Sequence, residues 1–201
     1  AHGVRQQLDP LTGFIVPQVY LQTAGPIWDK SASLDLELVV VYLQVTRPDA
    51  PSAFFTGRGA ALSSERAVRV LRTVFGSEDI YAKVTKNVYA VLMPGKSLDD
   101  ALQSNLARVV AQVHMINQEL KTDYPLRARV TVCASPLPHL SWPQVHTALL
   151  GRFDDAKGWD KRSIRYLLKR PRQPDSDSDL SKFWTNAVEM STKKTGSSWP
   201  S

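Results

Sequence analysis

The apolar patterning of this chain predicts an α/β (α+β) fold, a mixed central sheet flanked by helices. Three observations carry that reading. Residues 34–46 are rich in β-branched side chains and continuous enough to be a strand covered on both faces. Residues 97–120 keep their apolar side chains on one helical stripe. Strand-like and helix-like segments then alternate in the order helix, strand, helix, hairpin, helix, strand, helix.

The elements follow in order. Residues 1–8 read as the last turns of a helix. Asp9-Pro10-Leu11-Thr12-Gly13 is a turn, since proline fixes one φ and glycine permits a positive one. Residues 17–31 are helical, with Gly25-Pro26 expected to break or kink the helix. After the strand at 34–46 and a loop with two prolines, Ser63-Ser64-Glu65 opens a helix that places Ala67, Val70, Leu71 and Val74 on one face. Residues 79–84 and 87–93 form a hairpin around Thr85-Lys86, without the Asn-Gly pair of a tight turn. Ser97-Leu98-Asp99-Asp100 starts the next helix, with acids where its dipole favours them. Its stripe is Leu102, Leu106, Val109, Val110, Val113 and Ile116. Residues 127–134 alternate, so Ala128, Val130, Val132 and Ala134 share a face. Residues 142–153 form the last helix, with Val145, Leu149 and Leu150 together.

The 201 residues suffice for one domain of ordinary size and a small appendage. Hydrophobic residues at 43% and charged residues at 22% exclude global disorder. The longest apolar run, 38–43, is far short of the roughly 20 residues of a membrane-spanning helix. Residues 1–10 are polar and carry no secretory signal, and the Ala1 start is expected of a piece of a longer protein. One cysteine, Cys133, excludes an intrachain disulfide framework and a multi-cysteine zinc site. A cytoplasmic location is expected, including that of the cytoplasmic part of a membrane-associated protein.

The net charge of +6 is unevenly spread. Lys161, Arg162, Arg165, Lys169, Arg170 and Arg172 form a basic run with the chemistry of a phosphate, nucleic-acid or anionic-membrane contact, or simply of a solvated face. The composition divides the chain into a domain at 1–160 and a basic C-terminal extension at 161–201. In that extension 173–181 is expected to be a linker, 180–190 a short helix with Phe183 and Trp184, and 192–201 disordered. The extension is expected to stand apart from the fold and to contact a partner, the alternative being that Phe183 and Trp184 fold back and plug the core of the domain.

Individual residues offer little chemistry. His114, His139 and His146 lack metal-ligand spacing and read as structural histidines. Cys133 sits in a strand and reads as buried and inert. Asp99-Asp100 and Asp154-Asp155 are sequence neighbours that do not face each other on a helix. Gly57-Arg58-Gly59 is too short for a phosphate loop. No recognised nucleic-acid motif is present, so no specific nucleic-acid partner is expected.

Two segments read together add a family. Asp9-Pro10-Leu11-Thr12-Gly13-Phe14 resembles the D-P-L-T-G-L turn that opens GGDEF (diguanylate cyclase) domains, and Tyr89-Ala90-Val91-Leu92-Met93-Pro94-Gly95 resembles the strand after the GGDEF hairpin. Val39 to Thr46 and Arg129-Val130-Thr131-Val132 resemble two further family strands, so the resemblance spans about residues 1–157. It implies a sheet like a nucleotidyl cyclase palm and, in active members, magnesium-dependent joining of two GTP molecules into cyclic di-GMP.

Carried over position by position, the resemblance implies that the active site is lost. Thr85-Lys86-Asn87-Val88-Tyr89 stands where the signature hairpin should be, with Thr85 and Lys86 for the two glycines and Asn87 for a metal-binding acid. Gln44 stands where the first strand should end in the other metal acid. Two magnesium ions need carboxylate ligands, and neutral amides do not supply them. Ser52 and Ala61 replace the guanine-reading residues, while Lys157 matches a family lysine. Of the inhibitory product site, R-x-x-D, the chain has Gly76-Ser77-Glu78-Asp79: the acid without the arginine, with Arg69 or Arg72 as a partial substitute. The expectation is therefore a catalytically inactive GGDEF-like domain, not an enzyme. It has no catalytic, cofactor-binding or metal-binding residues and acts as a regulatory or protein-interaction module in bacterial cyclic di-GMP-related signalling. The alternative is a receptor for cyclic di-GMP or another nucleotide through a non-standard site. Its partners are another protein or other domains of the same chain, with dimerisation left open.

Overall fold

The structure is a computed structural model that describes residues 7–51, 58–121, 123–135, 140–155, 159 and 162–168, with the side chains of 58–64 and 168 outside the description. Four helices and five strands are described: α1 (Pro17–Ser33), β1 (Leu38–Thr46), α2 (Arg58–Val74), β2 (Ile80–Lys83), β3 (Val88–Pro94), α3 (Asp100–Leu120), β4 (Arg127–Ser135), α4 (Trp142–Asp154) and β5 (Ile164–Leu168). They build one sheet in the order β2-β3-β1-β4-β5, antiparallel except for the parallel β4–β5 pair. The expected mixed sheet flanked by helices is present.

β1 is the centre. Leu38, Val39, Val40, Val41, Tyr42 and Leu43 are all buried, because side chains alternate between two covered faces. One face carries Val39, Val41, Leu43, Val91, Val130 and Val132 against the apolar stripes of α2 and α3. The other carries Leu38, Val40, Tyr42, Ala90, Leu92 and Cys133 against α1 and α4. The stripes read from the sequence in α2, α3 and α4 are the faces turned to the sheet.

The opening turn is built by one carboxylate. Asp9 Oδ2 accepts from Thr12 N at 3.0 Å and from Thr12 Oγ1 at 2.6 Å, while Gly13 N donates to Asp9 O at 2.7 Å. Gly13 has φ +69°, a conformation that glycine adopts without strain. The turn sends Phe14 into the core and lets Ile15 bond the edge of β2, through Ile15 N to Tyr81 O at 3.1 Å and Lys83 N to Ile15 O at 2.8 Å.

Four expectations are corrected. α1 is not broken at Gly25-Pro26: it runs on through Pro26, whose side is exposed, while Tyr20, Ala24 and Trp28 anchor the buried side. β1 starts at Leu38 rather than 34, because Asp35 turns with φ 52° and leaves Leu34 and Leu36 exposed. α2 starts at Arg58, five residues before the expected Ser63, since Ala60-Ala61-Leu62 are good helix formers. The basic run 161–172 does not stand apart throughout: Ile164–Leu168 is a strand paired to β4, and the compact unit ends at Leu168. The readings made for residues 1–6, for Ser52, His139 and Lys157, and for 173–201 lie outside the described residues, as does the side chain of Ala61.

Val91 is fully buried at the middle of β3, opposite Val41. Val91→Asp places a carboxylate there without a partner, and chemical denaturation should show a loss of roughly 3 kcal/mol or more.

Candidate functional site

The hairpin tip is held by its backbone. Val84 N and Thr85 N donate to Val88 O at 2.8 and 3.2 Å, and Val45 N donates to Asn87 O at 3.0 Å. Thr85, Lys86 and Asn87 are exposed, and none has a positive φ. This turn therefore makes no demand for glycine, which explains how Thr and Lys occupy it.

Gln44 is where the sequence placed it, at the end of β1 beside the tip. It pairs with Val88 of β3 on one side and with Arg129 of β4 on the other. Val88, Gln44 and Arg129 thus make one row across three strands, with neighbouring Cβ atoms about 4.5–5.5 Å apart. Asn87 precedes this row and binds β1 through its carbonyl. The resemblance assigns roles to Gln44 and Asn87 and none to Val88 or Arg129. Val88 lies in the segment 85–89 that the resemblance compares with the signature hairpin, whereas Arg129 is joined to Gln44 only by the register of β1 and β4.

Arg129 is not isolated. Its guanidinium carbon lies 5.1 Å from the Trp159 ring centroid, and that of Arg165 lies 4.7 Å from the same ring. Trp159 stacks on Phe153 at 5.9 Å and 17°, and its Nε1 donates to Arg152 O at 2.9 Å. Arg165 reaches Asp155 at 3.4 Å. Burial, and then the nearby Arg165 charge, hold Arg152 below its usual pKa. Aromatic rings and guanidinium groups therefore pack beside the row, with Val84, Val88, Phe153 and Trp159 in one apolar cluster.

The donor set at this corner does not fit a magnesium ion. A hard cation takes carboxylate and carbonyl oxygens, whereas this row offers a methyl-bearing side chain, a neutral amide and a cation. Among the described residues no group of three or more His, Cys, Asp or Glu side chains is gathered closely enough to hold a metal.

A second cluster occupies Gly76-Ser77-Glu78-Asp79. The Asp79 side chain is 1% exposed, and its Oδ2 accepts from Gly76 N at 3.0 Å and Lys96 Nζ at 2.9 Å. Lys96 also meets Glu78 at 3.2 Å, and Tyr81 Oη donates to Gly76 O at 2.7 Å. The bond to Asp79 lifts the Lys96 ammonium above its usual pKa. Asp79 thus closes a loop onto the lysine that follows β3. A Cβ on Gly76 would lie 2.5 Å from the Glu78 carboxylate, so a larger residue there requires Glu78 to swing aside.

Arg69 and Arg72, one to two turns earlier, border an open groove of about 430 Å³ with Leu11, Glu65, Val68 and Thr73. Arg69 is engaged by Glu65. Arg72 lies over Phe14 at 5.3 Å and Tyr81 at 6.0 Å.

The other candidates have structural roles. Cys133 is buried, which pushes its thiol up to about 12. Asp99 caps α3 by accepting from Leu102 N at 2.8 Å. His114 is exposed, and His146 bonds Tyr42 Oη at 2.7 Å.

No family model matches the sequence, and no curated protein matches it. Solved structures do match. The GGDEF domain of DgcB from Caulobacter crescentus, solved with c-di-GMP, superposes with a TM-score of 0.62 at 11% identity, over 80% of this chain and 95% of that one. The fold is that of a GGDEF domain. The GGDEF domain of FimX from Pseudomonas aeruginosa gives a TM-score of 0.60 at 15% identity, over 80% and 98% of the two chains. The diguanylate cyclase SiaD of Pseudomonas aeruginosa, solved with its activator SiaC, gives 0.66 at 17% identity, over 82% and 64%. The Val88–Gln44–Arg129 row adjoins the tip 85–87 of the β2–β3 hairpin.

Lys96→Met removes the ammonium from a buried carboxylate. It should lower stability by about 2 kcal/mol, the lysine being partly exposed, while Glu78→Gln at the solvated surface should leave it nearly unchanged. Urea midpoints of the two variants provide the comparison.

Proposed function

We propose that this chain is a catalytically inactive GGDEF-fold domain that serves as a regulatory or protein-interaction module in bacterial cyclic di-GMP-related signalling, in the cytoplasm. The observation that carries this reading is the row Val88–Gln44–Arg129. An active corner has to gather negative charge around two magnesium ions and a triphosphate. Here an amide, a valine and a guanidinium stand side by side, with Trp159 and Phe153 packed behind them. Lys86 at the tip adds another positive charge. The signalling context rests on the neighbours, among them proteins solved with c-di-GMP and a cyclase solved with a protein activator. That second complex is the precedent for a protein partner on this fold.

A second reading, a nucleotide receptor with a non-standard site, is favoured by one feature. The groove beside the Asp9 turn presents Arg69 and Arg72, ten and seven residues before Asp79. Guanidinium groups suit both phosphate and the face of a purine. Calorimetry with cyclic di-GMP separates the readings: heat that vanishes in Arg72→Ala supports the receptor, and no heat up to millimolar ligand leaves the protein-interaction module.

Incubation of the full chain with GTP and either magnesium or manganese, followed by chromatography, should yield no cyclic di-GMP above a no-protein control. Product above that control overturns the inactive reading, because Gln44, Asn87 and Val88 would then have to support the chemistry.

A further inference from the structure

On the face of the sheet covered by α1 and α4, three polar side chains form a chain through the core. Tyr20 Oη of α1 lies 2.6 Å from Tyr42 Oη of β1, and Tyr42 Oη lies 2.7 Å from His146 Nδ1 of α4. Tyr20 and Tyr42 are buried, and His146 is half-buried, stacked on Trp142 at 5.8 Å and 30°. We propose that Tyr20, Tyr42 and His146 form an acid-sensitive latch between α1 and the sheet, closed when His146 is neutral and weakened when it is protonated.

The proton count gives the direction. With His146 neutral and Nδ1 bare, Tyr42 donates to Nδ1 and Tyr20 donates to Tyr42, so both buried hydroxyl protons have acceptors. A proton on Nδ1 reverses the chain. Nδ1–H then donates to Tyr42, Tyr42 donates to Tyr20, and among the described residues the Tyr20 proton has no second acceptor. The acid form thus carries both a charge in apolar surroundings and an unsatisfied buried hydroxyl.

The surroundings do not cancel this. Among the described residues, the titratable groups packed around the relay are Tyr20 from α1, Tyr42 from β1 and, behind Tyr42, Cys133 from β4. β1 and β4 carry no acid. The acids of the two helices are Asp29, nine residues from Tyr20, and Asp154, eight residues from His146, or about 12–14 Å along each helix. The cations on these elements, Lys30, Arg127, Arg129 and Arg152, oppose a further positive charge. Trp142 offers an imidazolium a cation–π contact, which reduces the effect without supplying the missing acceptor. Burial holds the His146 imidazole below its usual pKa.

A histidine with a lowered folded-state pKa stabilises the fold above its unfolded value, and that stability is lost as pH falls through the folded pKa. The weakness should appear at α1. Its polar tie to β1 is Tyr20, and its other core contacts include Ala24, Ile27 and Trp28, with Trp28 Nε1 donating to Leu140 O at 3.0 Å.

Two measurements on the full chain test the latch. In an NMR titration His146 should titrate clearly below the peptide value of about 6.5. Amide exchange, corrected for its intrinsic pH dependence, should show α1 losing protection below neutral pH by up to about tenfold per pH unit, while β1 and β3 keep theirs. His146→Asn retains an acceptor for Tyr42 and does not titrate, so its α1 protection should be flat with pH. Three results overturn the proposal: His146 titrating at or above the peptide value, α1 protection equal at pH 7.5 and 5, or an acid loss in His146→Asn equal to that of the parent. If His146→Asn does not fold, the titration and exchange of the parent decide alone.

Discussion

The burial of β1 on both faces is the constraint on which the rest of this molecule depends. Six consecutive side chains, Leu38 to Leu43, are covered. A strand covered this way needs helices on each side, and the chain supplies α2 and α3 to one face and α1 and α4 to the other. It also needs partners along both edges to satisfy its backbone, which β3 and β4 provide. Apart from the hydroxyls of Tyr42 and Thr131, which find partners inside, the polar side chains of the central strands lie where the cover ends. Gln44 is the first such residue on β1, and the row through Gln44 is where chemistry on this fold can be placed.

This division explains what was legible in the sequence. The strands β1, β3 and β4 and the helices α2, α3 and α4 were legible because burial on one or two faces writes a periodic or continuous apolar pattern. β5 was not. Arg165 and its charged flanks read as a solvated run, but Arg165 lies on the Trp159 ring while Leu167 enters the core. A long cationic side chain that covers an aromatic surface looks, in sequence, like one that points into water. Proline misled in the opposite direction at α1. Pro26 lies on the exposed side, and the opposite side is fixed by Tyr20, Ala24 and Trp28, so tertiary packing overrides the local cost.

The candidate site was legible only along the chain. Gln44 and the tip 85–89 could be placed by resemblance, because each lies in a segment with its own pattern. Arg129 could not, because its relation to Gln44 is a register between strands more than eighty residues apart in sequence. The same holds for Lys96, which joins the Asp79 loop across the β2–β3 hairpin. Register across a sheet is set by the whole hydrophobic pattern, and no local motif states it.

The two polar clusters at the margins of the sheet differ in what they can exchange with solvent. Asp79 is almost fully enclosed, and its Oδ2 is held by Gly76 N and Lys96, so it acts as a fastener for the loop before β2. The row Val88–Gln44–Arg129 adjoins an exposed tip whose three residues, Thr85, Lys86 and Asn87, are free to differ because the turn makes no demand on φ. The tip can therefore change its chemistry without disturbing β1, since its tie to β1 is a backbone carbonyl that any residue at 87 supplies. A scaffold whose stability lies in the covered strand and whose tip is held only by its backbone can lose one surface chemistry and take on another at little cost to the fold. The regulatory role proposed for this chain requires that separation, and the Asn87 carbonyl bonded to Val45 N supplies it at the tip.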